Sequence, residues 1–343
     1  MVATIEAVLG ARGVEVTTIS GGVTADVVRR GRFDLVHVHN QFPAPLPPVY
    51  AAAHAARLPV VQHLHNFRLA CMQPFLVRDG VYCDDCVGHS PLPGVVHGCY
   101  RNSRVASTAA AAVQLAPRVL GNWRRRVSRY VAVSESVGET MRRSGLAAAD
   151  RVVVCHNGLD EVPTPRDPAR DEGDVLYVGR LSPEKGVDLL LAAAASVPDL
   201  RVVIAGDGPA RAELERGASS NAVFVGRLDR AALFDMLARA RVVVVPSRGQ
   251  EPFGLSVIEA AAAGVPAIVA RVGGLPEIVR DGATGIVVDP FSAAAIGAAL
   301  ERLRDPVSAH AMGAAARRDF EARFSPDAFA DRLLAIYADV LRG

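Results

Sequence analysis

An α/β protein of two doubly wound parallel-sheet domains is what this sequence of 343 residues predicts. Three features carry the prediction. Short apolar runs alternate with helical patterns, and repeated βα units pack as parallel sheets with right-handed crossovers. Gly and Pro punctuate the run ends, as with Pro246 after Val242–Val245, and Gly264 and Pro266 after an Ala-rich helix. A stretch rich in Pro and charge, residues 161–174, lacks apolar periodicity and reads as a linker between the domains.

In the first half, strands are expected at Val14–Ile19, Leu35–His39, Val60–Leu64, Tyr130–Val133 and Val152–Cys155. The second half is more regular, with strands expected at Val175–Val178, Val202–Ala205, Ala222–Val225, Val242–Val245, Ala267–Ala270 and Ile286–Val288. Helical patterns fall between them, including Val187–Ser196, Arg230–Ala238 and Leu255–Ala263. The expected domains are residues 1–160 and 161–325, with a final helix from Pro326 that returns to the first domain. Half the residues are hydrophobic, enough for a sizeable core, and the net charge of +2 gives no reason to expect nucleic acid as a partner. No apolar run reaches the ~18 residues of a membrane span. The N-terminal stretch carries Glu6 and no basic start, unlike a signal peptide. The expected location is cytoplasmic. The basic run Trp123–Arg126 with Arg129 is a candidate for peripheral contact with anionic lipid, though a solvated helix face is the commoner account.

The most informative stretch is PSRGQEPFGLSVIEAAAAGVPAIVARVGGLPEIV. Glu251 lies on a strand-to-helix loop, and Glu259 one turn inside the helix, near the carboxyl edge where open α/β sheets bind ligands. The N–H groups around Phe253, Gly254 and Leu255 open that helix and can hold an anion. Carboxylates for hydroxyls and N–H groups for phosphate together suit a nucleotide-sugar. Arg180 and Lys185 stand just after another predicted strand, offering a planar fork and a point charge to phosphate oxygens. A solvated pair at a strand end is their plainer reading. Gly206 and Gly208 permit a tight turn at a third strand end, and Arg227 with Leu228 follows a fourth.

Taken together, the E-x7-E pair, GRLSPEKG (179–186), AGDGP (205–209) and VGGLPEIV (272–279) resemble the family 4 glycosyltransferases of the GT-B fold. The resemblance implies two Rossmann-like domains facing a cleft, and retaining transfer of a sugar from a nucleotide-diphosphate donor without an obligatory metal. It implies that Arg180 and Lys185 meet the diphosphate, Glu251 the sugar hydroxyls and Glu259 the ribose. Gly206 and Gly208 would lie beside the nucleotide, and Arg227 and Leu228 would flank the base. Its acceptor would be a glycan, a lipid-linked sugar or a small molecule. The family often carries a His before an Asx at the end of a first-domain strand, and here that residue is His65. His37, His39 and His63 share its sheet edge, where a satisfied polar group is the ordinary reading of any one of them. Members usually begin with a strand and a Gly-rich loop, so the first domain is expected to lack its first strand. That departure keeps open two rivals: a catalytically silent nucleotide-sugar-binding subunit, and a GT-B epimerase.

Four of the five cysteines, Cys71, Cys83, Cys86 and Cys99, fall in one insert around a C-x2-C. The spacing suits a structural zinc; disulfides, unpaired thiols and an iron–sulfur cluster are the alternatives. A subset of the family has a similar Cys-rich insert. Bracing a long loop is the expected role in each case. Cys155 lies in an apolar strand and reads as a buried structural thiol.

Overall fold

The computed structural model describes residues 1–19, 25–39, 48–119 and 122–342. The chain divides into two compact units, the first comprising Met1–Arg78, Cys83–Asn157 and Phe329–Gly343, the second Asp79–Tyr82 and Gly158–Ala328.

In unit 1, four parallel strands lie side by side in chain order: β1 (Val36–Val38), β2 (Val60–Leu64), β3 (Arg129–Ala132) and β4 (Val152–Val154). β2 is buried along its whole length, including the polar Gln62 and His63. One side of the sheet packs through Val61 and Val131 on Ile5 and Leu9 of the helix Val2–Gly10 and on Phe329, Leu333 and Tyr337 of the helix Pro326–Arg342. Cys155 is fully buried in the same cluster. The strand expected at Val14–Ile19 does not form. Val14 and Val16 pack on this core, but the Val14 N–H donates back to the Leu9 carbonyl at 3.1 Å. A strand exists only through a ladder, and among the described residues β1 pairs with β2 alone.

Unit 2 holds six strands: β5 (Asp174–Val178), β6 (Val202–Ala205), β7 (Ala222–Gly226), β8 (Ala240–Val245), β9 (Ala267–Ala270) and β10 (Gly285–Val288). All are parallel, in the order β10-β9-β8-β5-β6-β7. Chain order runs outward from β5 to β7 on one side and from β8 to β10 on the other, so the order reverses between β5 and β8. These neighbours are in register at Val175 with Val242 and Leu176 with Val243. In open α/β sheets, the crevice at such a switch point is the ordinary place for a ligand.

Residues 161–174, expected as a loose linker, are instead fastened to unit 2. The Arg166 N–H donates to the Ala263 carbonyl at 2.8 Å, and its guanidinium donates to the Ala240 carbonyl. Asp171, with its side chain 3% exposed, accepts from Arg241 and His310, each at 2.7 Å, and lies 3.7 Å from Arg166. The polar composition that marks a linker also supplies these buried charges, so composition alone could not tell the two apart. Removing Asp171 strands two guanidiniums in a dry setting. Asp171→Ala is therefore expected to lower stability by about 3–5 kcal/mol, read as a lower urea midpoint with an unchanged slope.

Candidate functional site

At the carboxyl end of β5 the chain turns through Gly179 and Arg180 into a short 3-10 turn, Pro183–Lys185. The buried Tyr177 hydroxyl donates to the Arg180 carbonyl at 2.9 Å and fixes this turn from beneath. The next loop along the sheet, after β8, docks on it: the N–H groups of Arg248 and Gly249 donate to the Glu184 carbonyl at 2.9 and 3.0 Å. Arg248 also reaches back to the Asp188 carboxylate. The two loops that flank the switch point thus form one surface.

At its centre lies an ion pair. The Lys185 Nζ donates to Glu251 Oε1 at 2.6 Å, and the Ser247 hydroxyl donates to the same oxygen at 2.6 Å. Glu251 is buried, and the Lys185 side chain is 20% exposed. A third loop holds Glu251 by its backbone, because the Gly274 N–H donates to the Glu251 carbonyl at 2.8 Å. Gly273 has φ +55°, and a Cβ there would lie 2.0 Å from that carbonyl oxygen, so only glycine fits. Its N–H donates to Gln250 Oε1 at 2.7 Å. On the far side of β5, Gly206 (φ +149°) passes so close to Gly179 that a Cβ would meet the Gly179 carbonyl oxygen at 1.8 Å. Gly208 approaches the Leu181 carbonyl in the same way.

The helix Leu255–Ala263 opens at Gly254 (φ +143°) with no side-chain cap. Its first N–H groups are therefore left for another acceptor. The Phe253 side chain is buried against Phe324, so Phe253 can contribute only its backbone to a ligand. Arg180 and Arg227 are exposed at the ends of β5 and β7, and Leu228 is half-buried beside Arg227.

Glu259 has different neighbours from Glu251. Burial pushes its carboxyl up to about 7, nearby Arg230 pulls it down, and Asp160 pushes it up again. Arg230 itself pairs with Asp160 at 3.0 Å and Glu161 at 2.9 Å. Sequence reasoning missed Ser247, Gln250, Arg230 and Asp160. Ser247 directly follows the strand-ending Pro246, a position that could have flagged it; Asp160 and Arg230, seventy residues apart, gave no local signal.

In unit 1, His65 follows β2, and its Nε2 lies 2.7 Å from His39 Nδ1, one nitrogen donating to the other. Its ring stacks on His63 with centroids 4.4 Å apart. The four candidate metal-ligating cysteines line one cavity of about 10 Å³, room for one water-sized sphere. All four carry free thiols. Burial pushes the Cys71 thiol up to about 12, despite an N–H from Gln73 that donates to its sulfur at 3.4 Å. Within the basic run Trp123 is buried and Arg129 pairs with Asp339 at 2.8 Å, while Arg124 and Arg125 are exposed. No helix among the described residues is long and apolar enough to cross a membrane.

Residues 22–162 match the family model described as Glycosyltransferase Family 4, and residues 163–319 match Glycosyl transferases group 1. A glycogen synthase of Mycobacterium tuberculosis is 36% identical over 205 residues, which cover 56% of this chain and 49% of that protein. The alpha-D-kanosaminyltransferase of Streptomyces kanamyceticus is 32% identical over 238 residues, covering 63% of this chain and 61% of the other. The chain thus spans about half the length of the curated relatives it matches. A crystal structure of Anabaena Alr3699/HepE in complex with UDP and glucose superposes with a TM-score of 0.67 at 20% identity, covering 92% of this chain and 80% of that one. The fold is GT-B, with two Rossmann-like domains.

The raised Glu259 carboxyl has a measurable consequence. In the folded protein it holds its proton until about pH 7, whereas an unfolded glutamate releases it near 4.5. Its contribution to stability is present in full below about 4.5 and is lost as pH rises through 7. Glu259→Gln should therefore gain stability relative to the parent over that window and level off above it, as read by urea unfolding at a series of pH values. A difference independent of pH would contradict the assignment.

Proposed function

We propose, from the family models that match residues 22–162 and 163–319, that the chain is a glycosyltransferase of the family 4 type and transfers a sugar from a nucleotide-diphosphate donor to an acceptor hydroxyl, with retention and without a required metal. The observation that carries the reading is the Lys185–Glu251 pair at the switch point of unit 2, beside an uncapped helix N-terminus.

Breaking the bond between the sugar and the diphosphate puts negative charge on the leaving phosphate. Fixed donors aimed at that charge lower the barrier because they need no reorganisation during reaction. Lys185 and Arg180 supply cations, and the Gly254 and Leu255 N–H groups supply the helix terminus. Glu251 holds Lys185 through one oxygen and offers its carboxylate to sugar hydroxyls. Gly206 and Gly208 keep the path beside the nucleotide clear of side chains, Arg227 and Leu228 flank the base, and Glu259 faces the ribose. His65 is the acceptor-side polar group. The leaving phosphate oxygen takes the acceptor proton, so no protein base is needed for the step. Unit 2 is the donor domain, and unit 1 binds the acceptor, a glycan, a lipid-linked sugar or a small molecule. The four cysteines brace the 71–99 segment, and a structural zinc is the ion that such a thiol set suits.

The test is turnover on a panel of nucleotide-sugars chosen by thermal shift, where a ligand at ~100 times its Kd adds ~2.7 kcal/mol. Lys185→Ala should lower kcat/KM roughly 10²–10³-fold while circular dichroism shows the same fold. Parental activity in that variant would remove Lys185 from the diphosphate. Donor binding with neither transfer nor hydrolysis would instead mark a binding subunit.

A further inference from the structure

Unit 1 carries a second constellation, of which the transfer reaction uses only His65. Two H-x-H segments, His37/His39 and His63/His65, lie at the carboxyl ends of the adjacent parallel strands β1 and β2. Side chains two apart on a strand share a face. Because His37 is in register with Val61, all four imidazoles fall on the same face of the sheet. They form a stack, with ring centroids 4.3 Å apart for His37 and His39, 5.2 Å for His37 and His63, and 5.2 Å for His39 and His63. One nitrogen from each of these three rings lies within 4.8 Å of the other two.

Hydrogen bonds hold the rings of the stack in place. His37 Nδ1 is 2.6 Å from the Tyr337 hydroxyl, and His39 Nδ1 is 2.7 Å from His65 Nε2. His63 Nδ1 meets His37 Nε2 at a longer 3.2 Å. His63 is 1% exposed, and its Nε2 has no hydrogen-bond partner among the described residues. A buried polar nitrogen without a partner is unfavourable.

We propose that His37, His39 and His63 form a site for one divalent transition-metal ion of the zinc class. Three imidazoles that converge on one point are a ligand set suited to zinc, nickel or copper and poorly suited to magnesium or calcium. Tyr337 and His65 act as outer partners, each bonding the second nitrogen of a ligand ring and so fixing its tautomer and orientation. The site depends on no part of the donor-transfer reading, since its ligands lie in unit 1 and carry no role in that step.

The experiment is zinc titration of the chelator-stripped full chain, compared with the C83S/C86S and H39Q/H63Q variants. The site predicts that H39Q/H63Q binds one zinc fewer than the parent, while C83S/C86S keeps that zinc. Equal zinc content in H39Q/H63Q and parent overturns it. Should the histidine variant fail to fold by circular dichroism, the zinc-edge X-ray spectrum of the saturated parent decides: an imidazole shell supports the site, and a shell of sulfur alone refutes it.

Discussion

The ion pair between Lys185 and Glu251 is the contact on which the proposed donor site depends. A buried pair of this kind adds little net stability, because the desolvation of both groups offsets most of their attraction. Three separate loops nevertheless converge to hold it: the turn after β5, the loop after β8 and the Gly273–Gly274 segment. Such convergence makes sense where a cation must be fixed in place before a charged ligand arrives. A lysine is long and flexible, and the carboxylate removes that freedom. Ser247 in turn restricts the carboxylate.

Topology explains why the pair forms where it does. β5 and β8 are neighbours in the sheet but belong to opposite arms of the strand order. Their loops, from chain segments over sixty residues apart in sequence, meet at that switch point. The glycines are the price of that approach. At Gly206 and Gly273 the backbones come so near their neighbours that any side chain would push the loops apart.

Much of this was legible in the sequence, and the exceptions have physical causes. Apart from the half-exposed edge strand Ala222–Gly226, the strands of unit 2 are largely buried, so their apolar runs stand out, and the helix Leu255–Ala263 carries its own stop signal at Gly264. Val14–Ile19 has the alternation of a strand, but pairing is a property of neighbours and not of the segment. Residues 161–174 have the composition of a linker, yet Asp171 is buried among two arginines and a histidine. The proposed donor residues were singled out because they lie at predicted strand ends. Their mutual contact was not, since spacing along the chain says nothing of which loop leans on which. The histidines show the same limit: each taken singly was an ordinary polar residue at a sheet edge, and only the register of β1 on β2 brings one nitrogen of each of three rings within 4.8 Å of the others.

The account stands or falls on whether Lys185 and Glu251 act as one unit. The direct measurement is a double-mutant cycle on kcat/KM, using Lys185→Met, Glu251→Gln and the two together. If the carboxylate works by positioning the lysine, the second substitution adds little once the first is made, and the coupling energy reaches about 1.5–3 kcal/mol. Effects that add within about 0.5 kcal/mol would show two independent groups and contradict the central claim.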